Sequence, residues 1–360
     1  MSAPVLIIGG GPAGMALALA LYQGGVDSRI VDARARGAAR GDARILALSH
    51  GSRLILERLG VWQTIAHTPI AAIHISHQGA LGRTRIDAKE EGVPALGYVL
   101  AAGDLAAALD SAVAAAGIDY QDNTAAPLHP KGPLVVHAEG RIEDDNEDVR
   151  VSDYGQHAVI CHATPATPPD GTAWERFTPA GPVALLPHND GYAVVFTCPA
   201  ADSEHVAALD DTAFLTPLQQ RFGARVKLVG VGPRAVFPLG LRLRKTVVRE
   251  REVWIGNAAQ TLHPAAGQGF NLALRDIAEL ADTLSDAADP GDPALLGRYA
   301  ARRRIDRCAT VGFTDGLVRL FSNNSGPLKH LRGAGLVALD LFPPARSFLA
   351  RRMMFGARGW

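Results

Sequence analysis

Cysteine is scarce in this 360-residue chain. Only Cys161, Cys198 and Cys308 occur, with no CxxC pair and no metal-ligand spacing. That excludes a disulfide framework and leaves reduced, structural thiols as the expected state, with no metal site. Charge of one sign is also lacking, because 36 Lys and Arg balance 36 Asp and Glu. Bulk charge therefore points to no nucleic-acid partner. No apolar run reaches the roughly 18–20 residues of a membrane-spanning helix. The apolar N-terminus has no basic flank and is broken at Gly9, Gly10, Gly11 and Pro12, so it does not read as a signal peptide. Repeats, low-complexity linkers, a Ser-His-Asp order and an HExxH motif are missing too. What remains is a globular composition, 48% hydrophobic and 20% charged. The expectation is a cytoplasmic protein, soluble or at most peripheral to the inner membrane.

Against that background the first thirty residues stand out. Val5, Leu6, Ile7 and Ile8 form a short apolar run, as in a strand buried on both faces of a parallel sheet. The run stops at Gly9-Gly10-Gly11-Pro12-Ala13-Gly14, and a helical pattern follows to Gly24-Gly25. A second strand, Ser28 to Val31, closes on Asp32. Gly9 permits the tight turn, Gly11 lets backbone approach a pyrophosphate, and Gly14 lets helix and strand pack closely. The helix N-terminus offers free N–H groups and the positive end of a dipole. Asp32 lies where an acid can bind a ribose hydroxyl pair. This unit predicts a dinucleotide site without separating FAD from NAD.

A second strand, loop and helix appears late. Residues 251–259 read as a strand ending in a small-residue turn. Residues 260–271, Gln-Thr-Leu-His-Pro-Ala-Ala-Gly-Gln-Gly-Phe-Asn, form a loop, and residues 272–284 have helical spacing. A loop of Gly, Pro and small residues can bring backbone N–H groups to a flat, electron-rich ligand.

The pairing of these two segments resembles the class A flavin monooxygenases. The Gly256-Asn257-Ala258-Ala259-Gln260-Thr261-Leu262-His263-Pro264 wording is similar to the ubiquinone-biosynthesis hydroxylases, nearest the 2-octaprenyl-6-methoxyphenol hydroxylase family. Residues 42–49 with 56–60, 174–179 and 313–321 add shorter likenesses, and the resemblance runs from residue 4 to Gly356.

The resemblance implies an α/β fold in which a Rossmann-type FAD-binding domain is interleaved with a smaller β-sheet substrate domain, as in para-hydroxybenzoate hydroxylase. A helical C-terminal segment follows. On this chain that gives an FAD part of 1–66, 100–152 and 250–300, a substrate part of 67–99 and 153–249, and a helical segment of 301–360. It implies FAD held by Gly9, Gly11, Pro12, Ala13 and Gly14, with Asp32 on the adenosine ribose and Arg44 reaching the cofactor. Gly256 and Asn257 would stand at the ribityl chain. Gly267, Gln268, Gly269, Phe270 and Asn271 would run along the isoalloxazine, with His263 and Pro264 in the pocket beside it. NAD(P)H would be a transient reductant, with O2 and a polyprenylated phenol as substrates. The cofactor carries the chemistry, and the protein orients the ring and excludes water.

The chain departs from the family pattern in three places. Glu139 replaces an aspartate, residues 117–134 are short, and Ala101-Ala102-Gly103-Asp104 offers no basic or amide group toward the cofactor. Two alternatives stay open: a flavin hydroxylase of another aromatic substrate, or an impaired relative serving as a scaffold in a ubiquinone-biosynthesis complex. Residues 141–150 read as an acidic surface loop. The stretch after residue 300 is rich in arginine, with leucine and phenylalanine between. It can lie on an anionic membrane surface or pack on its own domain with arginines in water.

Overall fold

The computed structural model describes residues 3–79, 82–127, 130–142, 147–263, 267–321 and 326–357, with main chain alone at 321 and 326–332. Val5–Ile8 lies at the centre of a six-stranded sheet. The order is Val248–Arg249, Glu252–Trp254, Val135–His137, Val5–Ile8, Ser28–Val31, Asp119–Gln121. The five strands from Glu252–Trp254 onward are parallel, and Val248–Arg249 is an antiparallel edge. Burial on both faces explains the unbroken apolar run, with the successive Ile7 and Ile8 at 0% and 4% exposure. Helix Pro12–Gln23 starts on a proline, whose missing N–H costs nothing at a helix start. Its Leu17 and Leu21 share one core with Ile277 and Leu280 of helix Gln268–Leu284 and Leu105 and Leu109 of helix Ala102–Ala115.

The nine-stranded sheet is built around Val149–Pro165, which pairs with Ala235–Arg244 on one side and Gly191–Pro199 on the other. Val183–His188, Thr172–Phe177, Ala72–His77 and Arg83–Asp87 extend it. Side chains alternate across these strands. Val183, Leu185, Val194 and Phe196 face helix Asp211–Phe222 and pack on its Phe214 and Leu218. The alternate residues face the other way and wall the site described below. A small third sheet joins Ile45–Ser49, Gly97–Ala101 and Thr68–Ile70.

Two boundaries differ from the sequence reading. The acidic stretch gives way to strand already at Val149, because residues 149–153 pair with Ala235–Arg244. The late helix begins at Gln268, not at residue 272. Gly267 is left-handed at its N-cap (φ 59°), and the Asn271 amide binds surrounding backbone. These tertiary contacts override the weak helix propensity of a Gln-Gly-Phe-Asn start. Between Gln121 and Val135 no strand occurs among the described residues. The C-terminal segment is helical, as Pro293–Phe321, Gly326–Leu341 and Pro343–Phe355. Among the described residues no helix is long and apolar enough to cross a membrane.

Candidate active site

The first wall of the site is the glycine turn at the C-terminal end of Val5–Ile8. Gly9 has φ +107°, and a Cβ there would lie 2.6 Å from the Ala138 carbonyl. A Cβ on Gly14 would lie 1.9 Å from the Gly9 oxygen. Both positions therefore require glycine for turn and close packing. Gly11 is different: a Cβ there meets only Arg34 Nη2, at 3.9 Å. It caps a helix whose first turn holds no acidic residue and whose cap makes no side-chain hydrogen bond. The turn thus presents open space and unsatisfied N–H groups to an anion.

Asp32 is buried beside this turn. Its Oδ2 accepts from the Gly10 N–H at 2.7 Å, and its Oδ1 from the Arg34 N–H at 2.8 Å. Burial alone would raise its pKa, but Arg34 and these N–H groups hold the carboxylate below its ordinary range. Tyr120 donates to the Gly10 carbonyl at 3.2 Å and fills space that a Cβ on Gly10 would need.

The second wall comes from distant segments. Gly256 sits against the first helix, and a Cβ there would be 3.2 Å from Ala13 Cβ. Asn257 is half-buried, and its amide makes no hydrogen bond among the described residues. Gly267 packs on Ala47, and Gly269 has open space where a Cβ would be. Phe270 packs against the main core and Gln268 is buried. Asn271 is fully engaged: Oδ1 accepts from the Ser49 N–H at 2.8 Å, and Nδ2 donates to the Gly267 and Ala47 carbonyls. It ties the third sheet to the helix start. Arg44 is paired with Asp42, its Nη2 2.5 Å from Oδ2, and stands half-exposed at the entrance to strand Ile45–Ser49. His263 is buried edge-on to Tyr154, and burial pushes its pKa down to about 4. Pro264 lies outside the described residues.

Between the second wall and the large sheet lie two adjoining apolar spaces, whose linings share Ala47, Ile70, Ile73 and Glu175. One lobe, about 130 Å³, lies between Ala173, Ala184 and Val195 of the sheet and Ala47, His263 and Gly267 opposite. The other, about 400 Å³, runs from Ala47, Ile73 and Glu175 to Leu336, Leu349 and Met353 of the C-terminal helices. Glu175 borders both. In the sequence Glu175 falls within the 174–179 likeness and is not among the candidate site residues. A signal was present, since period-2 alternation puts Glu175 on one face with Ala173 and Phe177.

Two of the C-terminal arginines, Arg303 and Arg307, leave the solvated basic face, while Arg302, Arg304, Arg319 and Arg351 stay exposed on it. Arg303 donates to Asp276 at 2.7 Å and to Asp306 at 2.7 Å, and Arg275 donates to Asp306 at 2.8 Å. Arg307 donates to Gln260 Oε1 at 2.7 Å. All four members of the acid–arginine cluster are buried. Their partners lie before residue 300 or on the next helical turn, which the acid-poor tail alone conceals.

A family model of the FAD-binding domain matches residues 2–154 and 146–313. The ubiquinone hydroxylase UbiL of Rhodospirillum rubrum is 33% identical, over 98% of this chain and 89% of that protein. The 3-demethoxyubiquinol 3-hydroxylase of Escherichia coli is 29% identical, over 93% of this chain and 94% of that protein. The structure of p-nitrophenol 4-monooxygenase PnpA from Pseudomonas putida superposes with a TM-score of 0.77, over 99% of this chain and 98% of that one. At 15% identity that likeness speaks to fold alone. The chain belongs to the FAD-binding-domain family and is an FAD-dependent monooxygenase of class A. The residues present suit such a cofactor: an open glycine cradle at Gly11, an unengaged amide at Asn257 and open backbone at Gly269.

Proposed function

We propose that this protein hydroxylates a polyprenylated phenol on the route to ubiquinone, with NAD(P)H as reductant and O2 as co-substrate. The apolar cavity carries the reading. Its small lobe has room for a ring beside Ala47, His263 and Gly267, and its large lobe continues under the C-terminal helices, where a prenyl tail fits. The names of the two ubiquinone-pathway relatives favour the same substrate class.

In this reading the segments 1–66, 100–152 and 250–300 hold FAD, and 67–99 with 153–249 cover the substrate. Gly11, Pro12, Ala13 and the turn set by Gly9 and Gly14 take the pyrophosphate on the helix N-terminus. Asp32 accepts from the adenosine ribose once the exposed Arg34 guanidinium, which takes one site on each carboxylate oxygen beside the Gly10 and Arg34 N–H groups, swings aside. Gly256 and Asn257 meet the ribityl chain, and Gly267 to Phe270 line the flavin ring, with Asn271 fixing that segment from behind. Arg44 reaches the cofactor by leaving Asp42. When bound, FAD supplies the oxygen-transfer chemistry. The protein's part is to orient the ring, exclude water and keep His263 neutral at physiological pH.

The test is the visible spectrum of purified protein, followed by turnover. Flavin absorbance released as FAD on denaturation, with NAD(P)H oxidation that yields hydroxylated 2-farnesylphenol, is the expected result. A flavin-loaded protein that oxidises NAD(P)H without hydroxylating any prenylated phenol would remove this substrate assignment.

A further inference from the structure

We infer that Glu175 is the polar anchor for the substrate's ring hydroxyl, and that the cavity selects electrically neutral aromatics over carboxylate-bearing ones. This rests on the monooxygenase reading above and narrows its substrate class.

The geometry comes from the sheet. Glu175 pairs across to Ile75 on one side and Ala184 on the other. With Ala173 and Phe177 before and after it on the same face, its carboxyl has only apolar neighbours on the strand surface. It borders both lobes, at the junction between the ring-sized space and the tail-sized space. No hydrogen bond or ion pair to the Glu175 carboxyl occurs among the described residues, and nothing but burial acts on its titration. Burial pushes its pKa up to about 8, so the group is a neutral carboxylic acid at pH 7. A neutral carboxyl has one donor and free acceptor sites. Glu175 is half-buried and faces the cavity, so a ligand that fills the cavity and excludes solvent must offer those sites an oxygen, since a polar group left without a partner is unfavourable.

The charge argument follows from the rest of the lining. His263 is the other ionisable group among the described lining residues, and burial keeps it neutral. No Lys or Arg lines either lobe among those residues. A ring carboxylate would enter without a counter-cation and beside an acid. A phenol loses little by entering and gains the Glu175 contact.

Ligand binding to the FAD-loaded protein, read by flavin spectral perturbation, tests both statements. The ligands are 2-farnesylphenol, its methyl ether, and the same phenol bearing a ring carboxylate. The proteins are wild type, Glu175→Gln and Glu175→Leu. Glu175→Gln keeps a donor and an acceptor, so it should bind 2-farnesylphenol within about threefold of wild type, whereas Glu175→Leu should lose about tenfold. The methyl ether should lose affinity for wild type and show no further loss with Glu175→Leu, because the two changes remove one contact. The carboxylated ligand should bind wild type at least about tenfold more weakly than the phenol. Additive losses from the ether and from Glu175→Leu would overturn the anchor while leaving the polyprenylated-phenol reading intact. Tighter binding of the carboxylated ligand would overturn the neutral selection alone, since that ligand is itself a prenylated phenol.

Discussion

Single residues divide into those that shape the glycine turn and those that leave room in it, and substitutions separate the two. A Cβ at Gly14 collides with the Gly9 carbonyl oxygen, while one at Gly11 enters open space. Gly14→Ala should therefore destabilise the protein itself by about 1–3 kcal/mol through overpacking. Gly11→Val should cost the cofactor-free protein less than about 1 kcal/mol and yet abolish FAD retention. Urea midpoints and bound-flavin absorbance measured side by side decide this. Normal FAD content in Gly11→Val would move the pyrophosphate elsewhere. His263 supports a second prediction. Its pKa is about 4 in the fold, against about 6.5 for an unperturbed histidine. Between those values the unfolded chain takes up a proton that the folded one refuses. Stability is thus fully present above about pH 6.5 and declines toward pH 4, by on the order of 3 kcal/mol from this residue. His74 is shifted the same way, to about 4, first by burial and then by Arg225 beside it. His50 and His188 are lowered by burial too, so His263→Asn should remove part, not all, of the histidine-driven loss between pH 7 and 4.5. An unchanged slope in urea titrations would clear His263 as a source.

At the level of elements, what was legible in the sequence is what is local. The strand, glycine turn, helix and second strand follow one another within residues 5–31, each encoded by its own run and punctuation, and all four form as read. The cavity is assembled otherwise. Strand Thr172–Phe177 lies parallel to Ala72–His77, about a hundred residues earlier, and helices beyond residue 326 close the far end. No window of sequence contains that juxtaposition, so Glu175 reads as one more charged residue until the sheet order is known. The same holds for the pinning of the long helix Pro293–Phe321. Asp306 accepts from Arg275, Arg303 and the Ala357 N–H, so one carboxylate joins three segments. Gly356 follows from this, since a Cβ there would lie 2.6 Å from Asp306 Oδ1. Removing one partner of a buried ion cluster strands the others without compensation. Asp306→Ala should lower stability by about 3–5 kcal/mol and expose helix Pro343–Phe355 to limited proteolysis. A wild-type urea midpoint with a wild-type cleavage pattern would show the cluster to be energetically idle.

On the scale of the whole molecule, the two last helices wall the tail lobe and, with the bend between them, carry three of the four most exposed large apolar side chains among the described residues. Leu341, Phe342 and Phe348 are 77%, 60% and 72% exposed, while Leu336, Ala350 and Met354 of the same helices turn inward. Scattered apolar residues on a surface need no explanation, but three large ones around the Leu341–Phe342 bend, beside an apolar cavity, do. The neighbouring Arg346 is spent on Glu90, so attraction to anionic headgroups adds little from this position. Insertion of the apolar tips into a bilayer is the remaining driving force, and it would bring the tail lobe to the phase where a prenylated phenol dissolves. Burying one phenylalanine contributes about 1.5–3 kcal/mol, so Phe342→Asp combined with Phe348→Asp should lower vesicle binding by at least about tenfold. Both residues are exposed, so the melting temperature should stay within about 2 °C of wild type. Hydroxylation of 2-farnesylphenol should fall when the substrate is presented in vesicles and persist when it is presented in detergent. If co-sedimentation with vesicles is unchanged in the double variant, the helices close the cavity without touching a membrane, and the substrate must be delivered by another route.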